Sequence, residues 1–276
     1  SVTSIEGYAF KGCTNLNTIV VDSNNTKYDS RDNCNAIIET STNTLIVGCK
    51  NTVIPSSVTS IGSDAFSGCT NINELHIGDI GRWCNIPFVS SGSNPFNGGA
   101  KDKKVYIGKS DTPTTEIVIP EGVETVNDYA FYNFDNITSV TIPSSVTSIG
   151  INAFYKCAEL TSVTIPSSVT SIGNQAFQSC SGLTSVTIPS SVTSIGNSAF
   201  YRCAKLKEIT IPDSVTSIGS SVFSGCAELT SVTIPSSVTS IGSQAFYNCA
   251  KLNEITIPDS VTSIGGNAFN GCTGLN

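Results

Sequence analysis

The chain has 276 residues, of which only 13% are charged, with 14 basic residues set against 21 acidic ones. No basic stripe is available to offset phosphates, so nucleic acid and an anionic membrane surface are excluded as partners. A run of about 18 apolar residues is also missing, as is a charged-then-apolar leader, which excludes a membrane-inserted helix or a signal peptide from this segment.

Taken in chain order, the first predicted strand ends at the apolar Val21 and the second at Ile54, 33 residues further on. An insert at about 22–51 accounts for the long step. It holds two apolar runs, 35–39 and 44–48, about the polar turn Thr40-Ser41-Thr42-Asn43, and this pattern predicts a β-hairpin. A third strand ends at Ile77 and the fourth only at Ile119, so a second insert lies at about 78–116. It contains Ile80-Gly81-Arg82-Trp83-Cys84, a Ser/Gly/Asn stretch through Gly99, and Lys104-Val105-Tyr106-Ile107-Gly108. A helical turn, a loop and a strand are predicted there. From Ile119 the strand ends fall regularly at Ile142, Ile165, Ile188, Ile211, Ile234 and Ile257, each 23 residues after the last, which gives ten strands in all.

One coil shows why the period exists. In Leu160-Thr161-Ser162-Val163-Thr164-Ile165-Pro166 the apolar residues alternate with polar ones, so one face is turned in and the other out. Leu160, Val163, Ile165, Val169, Ile172, Ala176 and Phe177 are the inward set. A single coil cannot bury that set alone and must stack on its neighbours at the strand spacing of about 4.8 Å. Pro166 ends the strand, because it has no N–H to give. Gly173 marks a corner where the backbone needs a positive φ or close approach. The segment 174–180 is too short for a full helix and predicts one or two helical or 3-10 turns. A period of 20 to 29 residues with an L-x-x-L-x-L core is the leucine-rich-repeat pattern. The fold class is therefore an α/β repeat: a leucine-rich-repeat solenoid with 23-residue coils, one parallel strand per coil and short helical turns opposite. The whole of 1–276 reads as a single array, with partial coils at both ends that predict a piece of a longer chain.

The repeat Ile-Pro-x-Ser-Val-Thr-Ser-Ile-Gly-x-x-Ala-Phe-x-x-Cys-x-x-Leu resembles the BspA-like branch of leucine-rich repeats over nearly the whole chain. Residues 28–40, Tyr-Asp-Ser-Arg-Asp-Asn-Cys-Asn-Ala-Ile-Ile-Glu-Thr, and Trp83-Cys84-Asn85-Ile86 are similar to bacterial members. The resemblance implies an exported protein, extracellular or anchored at the cell surface, that serves in adhesion without catalysis, with a protein or glycan on host or neighbouring cells as its partner. One departure is that Ser145, Ser168, Ser191, Ser214 and Ser237 stand where an Asn ladder commonly follows the strand.

The eleven cysteines fall into three groups. Cys13, Cys69, Cys157, Cys180, Cys203, Cys226, Cys249 and Cys272 share one repeat position. Stacked thiols there have parallel Cα–Cβ bonds about 4.8 Å apart, whereas a disulfide needs Cβ atoms near 3.8 Å, so a reduced and buried row is predicted. One residue per coil on a line is also not a tetrahedral set, and no metal or other cofactor is expected. Cys34 and Cys49 form a candidate disulfide. A hairpin turning about Ser41-Thr42 pairs residues whose numbers sum to 83 and sets the two opposite each other; a register slip would leave them as free thiols. Cys84 has no such partner and reads as a packed thiol.

His76, the only histidine, occupies an outward strand position, and no nucleophile motif accompanies it, so an enzyme is not expected. Binding has two candidate surfaces. The first is the outward strand row, with His76 in the irregular half and Thr141, Thr164, Thr187 and Thr210 in the regular half. The second is the insert at 78–116, where Arg82 offers a donor fork and Trp83, Phe88, Phe96 and Tyr106 offer apolar area. The alternative for these aromatics is a small satellite core that keeps the insert folded. A structural spacer presenting another domain is the second functional reading, and a domain of a surface enzyme the third.

Overall fold

The computed structural model describes residues 2–69, 71–98, 100 and 102–275. Gly99, where the Ser/Gly/Asn stretch ends, and the terminal Ser1 and Asn276 lie outside the described residues. The protein is a parallel-strand solenoid of about nine coils of roughly 23 residues with few helices. It divides into two compact units, one comprising Ser1–Thr115 with Asn127–Tyr132, the other Glu116–Val126 with Asn133–Asn276.

The first unit holds both inserts. Strand β1 (Tyr28–Asp29) pairs antiparallel with β2 (Ile37–Glu39), which pairs antiparallel with β3 (Thr44–Val47). The predicted hairpin is therefore present. Its tip keeps the expected register, with Ile38 opposite Leu45 and Glu39 opposite Thr44. A bulge between Ile37 and Ile38 then shifts Ile37 onto Val47. Strand β4 (Val53–Ile54) leads to β5 (Ser60–Ile61), which pairs parallel with β3. β3 thus serves the hairpin and the solenoid at once. β4 also pairs parallel with β6 (Glu74–Ile77), and β6 with β7 (Lys104–Ile107). Helix α1 (Ile80–Cys84) opens the second insert, capped by the Asp79 carboxylate, which accepts from the Arg82 N–H at 2.7 Å.

The strand expected to end at Val21 does not form. The Val21 N–H donates to Ser30 Oγ at 3.0 Å, and the Val53 N–H donates to the Cys34 carbonyl at 3.0 Å. The Cys34 backbone just before the hairpin, not the first coil, therefore takes this place beside β4, and residues 16–21 form no strand.

In the second unit each coil carries two strands, one more than the sequence predicts. Ser162–Thr164 pairs in register with Ser139–Thr141 and Ser185–Thr187. The short strand Ser171–Ile172 pairs likewise with Ser148–Ile149 and Ser194–Ile195. Both ladders pause before the coil of Glu208–Thr210 and Ser217–Ile218 and then resume through residue 264. The seven inward residues from Leu160 to Phe177 are all buried. At the Gly173 corner the reason is close approach, since a Cβ there would stand 2.5 Å from the Gly150 carbonyl carbon.

The return segment makes i to i+3 bonds, such as Gln178 N–H to Gln175 O at 3.1 Å and Cys180 N–H to Phe177 O at 3.2 Å. It does not continue as a helix, because Gln175 and Ser179 are left-handed, with φ of 58° and 61°. That conformation turns the N–H groups of Gln175, Phe177 and Ser179 toward the next coil, where they meet the carbonyls of Asn197, Ala199 and Tyr201 at 2.9, 2.8 and 2.7 Å. Inside this turn the phenylalanine rings stack: Phe154, Phe177, Phe200, Phe223, Phe246 and Phe269 follow one another at centroid distances of 5.2 to 5.7 Å.

Candidate functional site

The hydroxyl rows of the second unit divide sharply by their partners. The row of serines at the usual Asn-ladder position is structural. Ser168 Oγ donates to Val146 O at 2.6 Å, Ser191 to Val169 O at 2.7 Å and Ser237 to Val215 O at 2.7 Å, each crossing to the preceding coil. Two threonine rows do the same from the rims, with Thr170 donating to Thr147 O at 3.3 Å and Thr184 to Thr161 O at 3.1 Å. The strand face is different. Thr141, Thr164, Thr187 and Thr210 are exposed, and among the described residues their hydroxyls have no hydrogen-bond partner. Thr164 stands in register with Thr141 and Thr187, and Ser162 with Ser139 and Ser185. Thr210 pairs onward with Thr233, and Glu208 with Ser231. The result is a double row of hydroxyls, interrupted by Glu208 and exposed apart from the half-buried Ser139.

In the first unit His76 and Tyr106 are adjacent on β6 and β7. Their rings stack at 4.3 Å with an interplanar angle of 5°. Beside them Lys104 pairs with Glu74 at 3.5 Å, both about half exposed. His76 is half-buried, and Tyr106 retains only 9% exposure.

Trp83, Phe88 and Phe96 are buried, and this corrects the expectation that they present apolar area to a ligand. Trp83 meets Phe88 edge to face at 5.0 Å, and its Nε1–H donates to the Ala130 carbonyl at 2.8 Å. Asn94 Nδ2 donates to the Tyr129 carbonyl at 2.9 Å while its Oδ1 accepts from the Phe96 N–H at 2.9 Å. These bonds fasten the insert to residues 127–132 of the same unit and make the aromatics its satellite core. Arg82 alone of the insert's candidates is exposed.

All eleven cysteines are free thiols. Cys34 and Cys49 are therefore not joined: the bulge removes their direct opposition, and Cys49 Sγ turns to the Asn35 carbonyl at 3.1 Å while Cys34 Sγ turns to Ala36 O at 3.8 Å. From Cys157 to Cys272 the repeated thiols are buried, but Cys13 is exposed and Cys69 half-buried, contrary to the expectation of eight equivalent positions. Burial pushes the Cys249 thiol up to about 12 and the Cys84 thiol up to about 12. Among the described residues no three His, Cys, Asp or Glu side chains gather as a metal site would require. None of the described helices is long and apolar enough to cross a membrane.

Sequence reasoning missed the exposed turn-side pairs in which Lys156 Nζ lies 5.4 Å from the Tyr155 ring and the Arg202 guanidinium 5.1 Å from the Tyr201 ring. Their signal is the Phe-Tyr-Lys/Arg-Cys variant of the repeat, found at 154–157 and 200–203.

Comparison with known proteins agrees with this architecture. The family model described as BspA type leucine rich repeat region matches in six copies, over residues 1–47, 38–84, 109–228 and 193–276. A leucine rich repeat protein of T. pallidum is 35% identical, with a TM-score of 0.57 over 59% of this chain and 78% of that one. A leucine-rich repeat protein of Eubacterium ventriosum is 26% identical, with a TM-score of 0.55 over 83% of this chain and 58% of that one. A leucine rich cell surface protein of Faecalibacterium prausnitzii is 28% identical, with a TM-score of 0.44 over 84% and 78%. A comparison with curated proteins gives no match. Since the family model spans both the irregular coils and the regular ones, the chain belongs to the BspA type leucine-rich repeat family.

Proposed function

We propose that the protein is a non-enzymatic binding module, extracellular or held at a cell surface, that engages a protein or glycan through the strand face of its second unit. The observation that carries this reading is the division of hydroxyls. Rows that join coils donate to carbonyls, whereas Thr141, Thr164, Thr187 and Thr210 lie in register on a solvent face with no partner in the described protein. A polar, repeating ligand laid across the coils would meet the same donor and acceptor at each step, which favours weak contacts summed over several coils. Arg82 and the half-buried His76 are the polar contributors proposed from the first unit. The family's repeat scaffold supports an interaction role, and the surface location rests on the resemblance of the repeat to exported relatives. No nucleic acid is proposed as partner, given the deficit of basic residues. The second reading, a structural spacer, draws on the near-identity of the regular coils, which singles out no coil as a specific site.

The test is binding to matrix proteins and glycan arrays by the intact chain and by a variant carrying Thr141→Lys, Thr164→Lys, Thr187→Lys and Thr210→Lys, all at exposed positions. Loss of a ligand that the intact chain binds supports the strand face. Retained affinity in the folded variant removes it, and no ligand for the intact chain favours the spacer.

A further inference from the structure

Two cysteines of the repeat position differ from the rest in ways that bear on chemistry. The thiols of Cys180, Cys203, Cys226, Cys249 and Cys272 are buried, and each donates to a phenylalanine carbonyl at 3.0 to 3.3 Å. Cys69 is half-buried with a long contact to Gly48 O at 3.6 Å, and Cys13 is exposed. Their backbones lie side by side. An ideal Cβ on Gly68 would stand 2.6 Å from the Gly12 nitrogen and 3.3 Å from the Gly12 Cα, so the turns ending in Cys13 and Cys69 are direct neighbours. Adjacent chains at that spacing put Cα atoms about 5 Å apart, inside the range of roughly 4.4–6.8 Å that a disulfide spans.

We propose that Cys13 and Cys69 form a redox-closed latch, a reversible disulfide that fastens the first coil to the coil of β4 and β6. The Cβ atoms must converge by about 1 Å from parallel stacking. At the buried cysteines the stacked phenylalanines and the S–H bonds oppose that movement; at Cys13 little does. Gly12 and Gly68 precede the two cysteines with φ of 83° and 90°, and a cavity of about 140 Å³ whose lining includes Lys11, Phe10, Ser67 and Cys69 separates the two segments on one side. The latch also has something to hold. Residues 2–25 have no strand, and the hydrogen bonds fixing them to later residues are few, among them Lys50 N–H to Leu16 O at 3.1 Å, Val21 N–H to Ser30 Oγ at 3.0 Å and Lys27 Nζ to Thr3 O at 2.8 Å.

The oxidant is a small disulfide, for which glutathione disulfide is the probe. The Cys13 thiolate attacks one sulfur of it, forming a mixed disulfide and releasing one glutathione thiolate. The Cys69 thiolate then attacks the Cys13 sulfur and releases the second glutathione. Two protein thiols are oxidised and one glutathione disulfide is reduced to two thiols. Burial, reinforced by the nearby Cys49 and Cys13, pushes the Cys69 thiol up to about 11, so the second step quickens as pH rises toward that value.

The full chain is incubated with glutathione disulfide at mildly alkaline pH and mapped without reduction. A peptide joining Cys13 to Cys69 is expected, lost in Cys13→Ser and in Cys69→Ser and kept in Cys49→Ser. Trypsin cleavage after the exposed Lys11 should slow by about tenfold in the linked form and recover on reduction, because fraying of the first coil is what exposes that bond to the protease. Absence of the link, a link from Cys69 to Cys49, or a linked form cleaved as fast as the reduced one overturns the latch.

Discussion

The Cys180 thiol donates to the Phe154 carbonyl at 3.1 Å, across the boundary between two coils, and the same bond recurs from Cys203 to Phe177 and from Cys226 to Phe200. The cysteine of one coil thus satisfies a carbonyl on the turn of the coil before, beside the ring stack that Phe154 begins with Phe177. A thiol in this setting is packing and staple together.

Reactivity should follow. In the native protein at pH 8, Cys13 should label within minutes with a thiol reagent and Cys69 more slowly. Cys157, Cys180, Cys203, Cys226 and Cys249 should stay unlabelled until denaturant is added, since burial raises Cys203 and Cys226 well above the ordinary thiol range and brings Cys249 to about 12. Mass mapping before and after denaturation reads this. Rapid native labelling of the buried five would contradict the packing described.

The in and out faces of the strand should separate in stability. Ile188 is 6% exposed and Thr187 beside it is exposed, so Ile188→Ala should cost about 2–5 kcal/mol and Thr187→Ala under about 0.5 kcal/mol. Ser191→Ala should fall between them, near 1–3 kcal/mol, because it leaves the Val169 carbonyl without its donor. Chemical denaturation of the three variants gives the order, and equal losses at Thr187 and Ser191 would erase the distinction between free and joining hydroxyls.

The coil was largely legible in the sequence because its inward set is apolar at fixed spacing: Leu160, Val163, Ile165, Val169, Ile172, Ala176 and Phe177 are each predicted inward and each buried. The second strand, Ser171–Ile172, was not legible, being two residues long and formed only by pairing with the neighbouring coils. The left-handed Gln175 and Ser179 were equally hidden, since neither residue type announces a positive φ and the conformation is imposed by bonds to Asn197 and Tyr201. At the candidate site the register of Thr141, Thr164 and Thr187 could be read from the period. Composition could not tell that Trp83 and Phe88 fold inward, because an aromatic in a long insert serves a satellite core and a binding surface alike.

Acid should loosen the first hairpin. Arg31 grips Asp29 with Nε at 2.9 Å and Nη2 at 2.7 Å, while its Nη1 reaches Asn43 Oδ1 in the hairpin turn at 2.7 Å. The Arg31 side chain foremost, and then its backbone N–H, hold the Asp29 carboxyl below its ordinary value. A folded-state pKa that is depressed contributes stability above the unfolded pKa of about 3.9, and that contribution is lost as pH falls through the folded value. With both side chains partly exposed the effect is modest, under about 1 kcal/mol. The protection of the β2 and β3 amides, taken relative to intrinsic exchange at the same pH, should therefore fall below about pH 4 in the intact protein. Asp29→Asn should show the lower protection already at neutral pH with little further change on acidification, and identical profiles for the two proteins would remove Asp29 from the account.

Gly48 should be the least replaceable residue of the hairpin. It follows β3 directly, its N–H donates to the Ala65 carbonyl at 2.8 Å and its own carbonyl faces Cys69 Sγ at 3.6 Å, the place that Phe154 O takes opposite Cys180 in the regular coils. A glycine thus stands where the repeat has phenylalanine, and the Phe66 ring fills the space: a Cβ on Gly48 would lie 2.1 Å from Phe66 Cε1 and 2.6 Å from its Cζ. Phe66 is fully buried, so its ring cannot swing to solvent to relieve the contact. Gly48→Ala should cost about 1–3 kcal/mol through displacement of that ring. Combining it with Phe66→Leu, which removes ring atoms at the point of contact, should recover part of the loss, so that the double variant is more stable than the sum of the single changes. Strict additivity in denaturation would mean that the two residues do not meet and that the hairpin closes its coil in some other way.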